Sequence, residues 1–244
     1  MKKLIDFIGV TVLLGKRTLF SNLTFSVYEG DCYMVLGKNG SGKTLLLELI
    51  FGGYTNELCQ RYKDLKVEGK ILDCEGNDLL DPGTNRKISY VTQYEDFHNN
   101  ATFLSEGKSA ARGIGIEFDE GYFDELLGRF GLLDKKRQKI KNNVSGGEGK
   151  LIHLITRILK LNATNILLLD EPLNHLSFRN SKIFNDIIEE IKAARPELTI
   201  LMISHCKAIS FVDKIMKYDY ATEKIVTMEY KSYSCFAVDE CEGC

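Results

Sequence analysis

Glycines at 37, 40 and 42, followed directly by Lys43 and Thr44, complete the pattern G-x-x-x-x-G-K-[ST], and few eight-residue stretches constrain a chain so strongly. A polyphosphate has to be met by several converging backbone N–H groups, and a chain wraps that tightly only where Cβ atoms are missing. The flanks are those the pattern needs. Cys32, Tyr33, Met34, Val35 and Leu36 make a short apolar run of the kind that forms a buried strand, and Thr44-Leu-Leu-Leu-Glu-Leu-Ile reads as a helix. Strand, loop and helix in that order predict a nucleoside triphosphate seat, with Gly37, Asn39, Gly40, Ser41, Gly42 and Lys43 around the phosphates. Lys43 is placed to reach the β and γ phosphates, and the Thr44 hydroxyl is placed on Mg²⁺. In a glycine-rich surface loop without those flanks, the same letters would mean little.

At 244 residues, with 44% hydrophobic and 27% charged, the chain has enough apolar material for one substantial core with embedded subdomains. A formal net charge of −2 gives no overall basic footprint, so direct nucleic-acid binding is not expected. No stretch approaches the roughly 20 apolar residues of a membrane span, and Met1-Lys2-Lys3 is not followed by a signal-like apolar region, which predicts a cytoplasmic protein. Seven scattered cysteines fit thiols in a reducing compartment. Cys241 and Cys244 form a C-x-x-C pair, but with Cys235 they make a poorer set than a structural zinc site wants, and they read as tail thiols.

Short β-like runs over 4–14 and around Leu23, Phe25 and Val27, separated by a Gly15-Lys16-Arg17 turn, predict an antiparallel patch. It is expected to resume over 67–73 and, after a turn at 75–78, over 87–92. From 103 to 161 the pattern turns helical, with Phe123, Leu126, Leu127 and Phe130 at i, i+3, i+4 and i+7. The chain then returns to α/β alternation: a strand over 165–170, a helix carrying Ile183, Phe184, Ile187, Ile188 and Ile191, a stop at Arg195-Pro196, and a strand over 198–204. The expected fold is α/β, a P-loop NTPase core with an antiparallel β subdomain and an inserted α-helical subdomain. Residues 1–231 are expected to form the nucleotide-binding domain, about 94–161 its helical subdomain, and 232–244 a cysteine-containing tail.

The run Ile166-Leu167-Leu168-Leu169 ends in Asp170-Glu171, which puts two carboxylates at the carboxyl end of a buried strand, where α/β proteins bind ligands. Asp170 suits the Mg²⁺ shell, and Glu171 suits a general base polarising the attacking water. Alone, this could be a solvated strand end. It is preceded, however, by Val144-Ser145-Gly146-Gly147-Glu148, and here the chain resembles the ATP-binding-cassette ATPases, whose signature loop reads L-S-G-G-Q ahead of the same carboxylate-ended strand. By that resemblance Gln93, at the end of a strand, is the glutamine that senses Mg²⁺ or water, and His205, after Ile203-Ser204, is the histidine that contacts the γ phosphate. The resemblance runs in order from Gly37 to His205.

It implies ATP and Mg²⁺ as cofactors and two cassettes closing head to tail. ATP would lie between the phosphate loop of one and Ser145, Gly146, Gly147 and Glu148 of the other. A short helix beginning at the signature loop would offer its N–H groups to the γ phosphate, turning binding into domain movement. The implied function is the ATP-hydrolysing subunit of an ABC transporter, a homodimer or heterodimer on the cytoplasmic face of the membrane, driving separate transmembrane subunits through a groove on the helical subdomain. The alternative is a soluble ATPase of an assembly machine, such as an iron-sulfur cluster scaffold complex, whose signature also carries Ser-Gly-Gly-Glu. Chromosome-organising relatives are excluded because no coiled-coil heptads separate Thr44 from Ser145. A regulator that no longer hydrolyses is disfavoured by intact Lys43, Asp170, Glu171 and His205.

Departures from the family pattern are few. Val144 and Glu148 replace the commonest Leu and Gln, either Leu151 or Lys150 falls where a basic residue is usual, and Leu14 stands where an adenine-stacking aromatic is expected. Ser177 replaces the usual Asp after Pro172, and Asn174-His175-Leu176 echoes the translation-associated branch, whose members fuse two cassettes.

Overall fold

A computed structural model describes residues 1–84, 87–92, 97, 100–141, 144–204, 209–219 and 224–230. Along the chain run β1 (Lys3–Leu14), β2 (Arg17–Tyr28), β3 (Cys32–Leu36), α1 (Lys43–Gly52), α2 (Asn56–Arg61), β4 (Leu65–Asp73), β5 (Ile88–Val91), α3 (Phe103–Arg112), α4 (Glu120–Arg129), α5 (Gly146–Leu159), β6 (Ile166–Asp170), α6 (Phe178–Ala194), β7 (Thr199–Ile203), β8 (Lys214–Asp219) and β9 (Lys224–Glu229). These gather into two bodies. One takes Met1–Arg86, Pro196–Lys207 and Val212–Cys244, and the other takes Lys87–Arg195 and Ala208–Phe211.

In the first body, β2, β1 and β4 form an antiparallel sheet in that order. Inward positions of β1 alternate with outward ones, so Ile5, Phe7, Val10 and Val12 are fully buried. Phe7 stacks on Phe25 with ring centroids 4.1 Å apart. The second layer has β3 paired in parallel with both β7 and β8, and β9 antiparallel to β8. Cys32, Tyr33, Met34 and Val35 are all buried, as a strand covered on both faces requires. Polar bonds pin the start of β3: Asp31 accepts from the Tyr33 hydroxyl at 2.7 Å and from Lys214 Nζ at 2.6 Å, and Asp213 accepts from the Cys32 amide at 3.1 Å. Burial, reinforced by the Asp31 carboxylate, pushes the Tyr33 phenol well above its usual range, so it stays a donor.

In the second body, β5 pairs in parallel with β6, Ile88 opposite Ile166 and Val91 opposite Leu169. This corrects the expectation that 87–92 extends the antiparallel patch. All four residues of β5 are buried, and a strand without an exposed face belongs to a parallel pair, which only a distant segment can supply. The helical stretch resolves into α3, α4 and α5. Phe123, Leu126 and Leu127 of α4 are buried at the predicted spacing, and Phe103 and Phe123 are among the largest fully buried side chains. Arg129 grips Glu190 of α6 through two hydrogen bonds of 2.5 and 2.9 Å. The helix at the signature loop, α5, has 14 residues and is not short. The segments α2, β8 and β9 have no counterpart in the sequence reading. The tail over 232–244 lies outside the described residues.

Candidate functional site

The first body carries the phosphate loop between the end of β3 and the start of α1. Ser41 donates its amide to the Lys38 carbonyl at 3.1 Å, closing the turn, and Leu46 donates to Gly42 at 2.9 Å, starting the helix. Gly42 has a φ of 96°, and a Cβ there would lie 3.0 Å from the Phe20 ring and 3.2 Å from Leu19, so only glycine fits both the turn and the core beneath it. Lys43 is almost buried and folds back over its own loop, donating to the carbonyls of Gly37 at 2.6 Å and Lys38 at 3.0 Å. Its ammonium therefore sits where the phosphates of a nucleotide would be cradled. The N-terminus of α1 has no side-chain cap and no acid in its first turn. The other five α-helices among the described residues each have a side-chain cap: Thr55, Thr102, Asp119, Ser145 and Ser177 each accept a backbone N–H. At α1 the first-turn N–H groups and the positive end of the helix dipole are left to an external anion.

The second body carries the carboxylates and the signature loop. Asp170 ends β6 with 1% exposure. Glu171 leaves the strand with a φ of 48°, a left-handed conformation rare for a residue with a Cβ. Its carboxylate accepts a hydrogen bond from the Asn174 side-chain amide, and Asn174 N donates to the Glu171 carbonyl at 3.2 Å, so the turn after Glu171 holds the acid in place. The next residue, His175, also has a positive φ, 65°, and its carbonyl comes within 3.0 Å of where a Cβ on Gly147 would stand. Gly147 thus lets the turn after Glu171 pack against the start of α5.

Ser145 and Glu148 form a capping box. Glu148 N donates to Ser145 Oγ at 3.3 Å, and Ser145 N donates to the Glu148 carboxylate at 2.9 Å. Lys135 pairs with the same carboxylate at 2.5 Å. Lys135 first, then the Ser145 amide, hold the Glu148 carboxyl below its usual range. Glu148 departs from the family's usual Gln, and Ser-x-x-Glu before an apolar run already spells this cap in the sequence. Nothing in the linear sequence marks Lys135 or the Asn174 bond. Gly37, Asn39, Gly40, Ser41, Gly42, Lys43 and Thr44 are brought together in one body, and Ser145, Gly146, Gly147 and Glu148 with Asp170 and Glu171 belong to the other. Gln93 and His205 lie outside the described residues.

The sequence profile of the family described as ABC transporter matches residues 20–174, more than half of the chain. The chain belongs to this family. As an ABC family member it is an ATP-binding ATPase domain. It is 28% identical over 207 residues to the ergothioneine transport ATP-binding protein EgtV of Helicobacter pylori (strain G27), covering 84% of this chain and 91% of that protein. It is 27% identical over 214 residues to the ribosome protection protein VmlR of Bacillus subtilis (strain 168), covering 84% of this chain but only 32% of VmlR. The chain thus spans about a third of one relative's length and nearly all of the other's. Its fold matches a solved ATP binding subunit of an ABC transporter with a TM-score of 0.72, covering 93% of this chain and 90% of that one at 17% identity. The P-loop NTPase fold, α/β with an antiparallel sheet and helices between β5 and β6, is that of the ABC ATPases.

Proposed function

We propose that this chain is the ATP-hydrolysing subunit of a transporter, pairing head to tail with a second cassette and driving separate membrane subunits. The observation that carries the reading is an open helix end at Lys43 in a chain that spans 91% of a transport ATP-binding protein. No helix among the described residues is long and apolar enough to cross a membrane. In this reading the path for cargo lies in other chains docked on the helical segment. We take 1–231 as the ATPase domain, about 94–161 as its helical subdomain and 232–244 as a tail. The site of action would be the cytoplasmic face of the membrane.

In this reading the loop from Gly37 to Gly42 wraps the β and γ phosphates with backbone N–H groups, and Lys43 exchanges its two carbonyl partners for phosphate oxygens. Glu171, held by Asn174, accepts a proton from the attacking water, and His205 steadies the γ phosphate. Ser145, Gly146 and Gly147 of the opposite cassette close on the same phosphate. The hydroxyl of Thr44, the carboxylate of Asp170 and the amide of Gln93 are hard oxygen donors, the set that Mg²⁺ prefers. When bound, the ion would neutralise charge on the phosphates.

A second reading has two supports. Asn174-His175-Leu176 and the likeness to VmlR point to an ATPase that works on a partner other than a membrane protein, as the iron-sulfur scaffold alternative also does. The test is purification of the tagged chain from its own cells in mild detergent, with mass spectrometry of what accompanies it. The transporter reading expects a polytopic membrane protein in stoichiometric amount; recovery with only soluble assemblies contradicts it.

A further inference from the structure

The second body contains a cavity of about 270 Å³ between α3 and α5, lined among others by Thr92, Glu106, His153, Thr156, Arg157 and Lys160. Its charge is lopsided. Among the described residues that line it, Arg157 and Lys160 face Glu106 as the one acid, and Lys150, two turns before Arg157 on α5 and 2% exposed, adds a third cation near His153. Lys150 is engaged, donating to the Thr92 carbonyl at 3.0 Å. Arg157 is not: its Nε is buried without a hydrogen-bond partner, and neither Arg157 nor Lys160 takes part in an ion pair among the described residues.

The dipole of α5 accounts for cations in its last turn but not for a half-buried guanidinium whose Nε is shut away from water with no acceptor. Such a group costs free energy unless something anionic completes it. His153, 7% exposed, is kept neutral by burial and by Arg157, Lys150 and Lys160, its pKa pushed down to about 3. A neutral ring beside Arg157 can give one further hydrogen bond to an oxygen without adding charge.

We infer that this cavity is an anion-binding site that takes a carboxylate or phosphate group, with Arg157 and Lys160 as its charged donors and His153 as a neutral one. The cavity is larger than a single anionic group, so it has room for a small organic anion carrying that group. The site lies wholly within the second body, apart from the phosphate loop, and does not depend on the transporter reading.

The test is NMR of the full chain with ¹³C-labelled histidine and no nucleotide, titrated with sodium succinate, inorganic phosphate or, as reference, sodium chloride at matched ionic strength. The chain has only four histidines, and the His153→Gln spectrum assigns the ring signal. The inference expects a saturable His153 shift with succinate or phosphate and none with chloride; the anion with the lower midpoint names the class. Arg157→Gln should raise the midpoint about tenfold while Arg157→Lys recovers part of it, and basal ATP turnover should stay unchanged in both. Lys160→Gln, at a more exposed position, tests the same point independently of the fold around Arg157. A His153 shift that fails to saturate with either anion, or that saturates identically in Arg157→Gln and Lys160→Gln, overturns the inference.

Discussion

Two helices of this chain begin at glycine-rich loops, and their ends are built in opposite ways. At α1 the cap is Gly42, with no side-chain acceptor and no acid in the first turn, and Lys43 bridges the loop's own carbonyls. At α5 the Ser145 hydroxyl and the Glu148 carboxylate satisfy the end internally, and Lys135 neutralises the carboxylate. The first end is a complete anion receiver in itself. The second already holds an anion of its own, so its remaining first-turn amides, at Gly146 and Gly147, suit a phosphate that is also bound elsewhere. That contrast fits a nucleotide seated on the phosphate loop and only closed over by a signature loop.

The sharpest way to break the contrast is Lys43→Ala. With the ammonium gone, ATP affinity measured by fluorescence titration should fall about hundredfold, while circular dichroism stays that of the folded protein. Unchanged affinity would mean that α1 is not the seat. Ser145→Ala probes the other end. Loss of the cap should lower unfolding free energy in urea by about 1 kcal/mol and leave ATP binding by the isolated chain intact. A loss of binding without loss of stability would make Ser145 a primary phosphate ligand and erase the distinction.

The smallest effect is expected at Glu148. Because its folded carboxyl lies below the ordinary value of 4.5, its contribution is complete above the unfolded pKa and disappears as pH falls through the folded one. Glu148→Gln keeps the capping geometry, so it should be slightly less stable than wild type at neutral pH and equal to it well below pH 4.5. A gap that persists in acid would show that the ion pair with Lys135 contributes nothing. The same substitution removes a negative charge beside the closing phosphate, so ATP-driven pairing should tighten modestly, as seen by analytical ultracentrifugation.

The sequence made the local parts legible and left the long-range ones closed. The phosphate loop, β3, β6 and the start of α5 could be read because each is decided by neighbours a few residues away: an apolar run, a glycine turn, a cap. The strand β5 joins a different sheet from the one its sequence suggests because its partner lies 78 residues on, at Ile166, and four buried residues carry no alternation to announce a partner. The strand β8 mixes Lys214 and Lys217 with apolar residues and shows its role only once β3 lies beside it. At the site, Asp170 and Glu171 were legible as carboxylates, but the left-handed backbone of Glu171 and its bond from Asn174 belong to a turn whose shape depends on Gly147 from another element.

In the proposed reading, ATP on the phosphate loop is hydrolysed with Glu171 as the base. ATP turnover by wild type and Glu171→Gln, measured beside their ATP affinities and their sedimentation in Mg²⁺-ATP, tests it most directly. Glu171→Gln should turn over about 10²- to 10⁴-fold more slowly, keep its affinity for ATP, and accumulate an ATP-bound dimer that wild type does not. Wild-type turnover in Glu171→Gln would contradict it and remove Glu171 from the reaction.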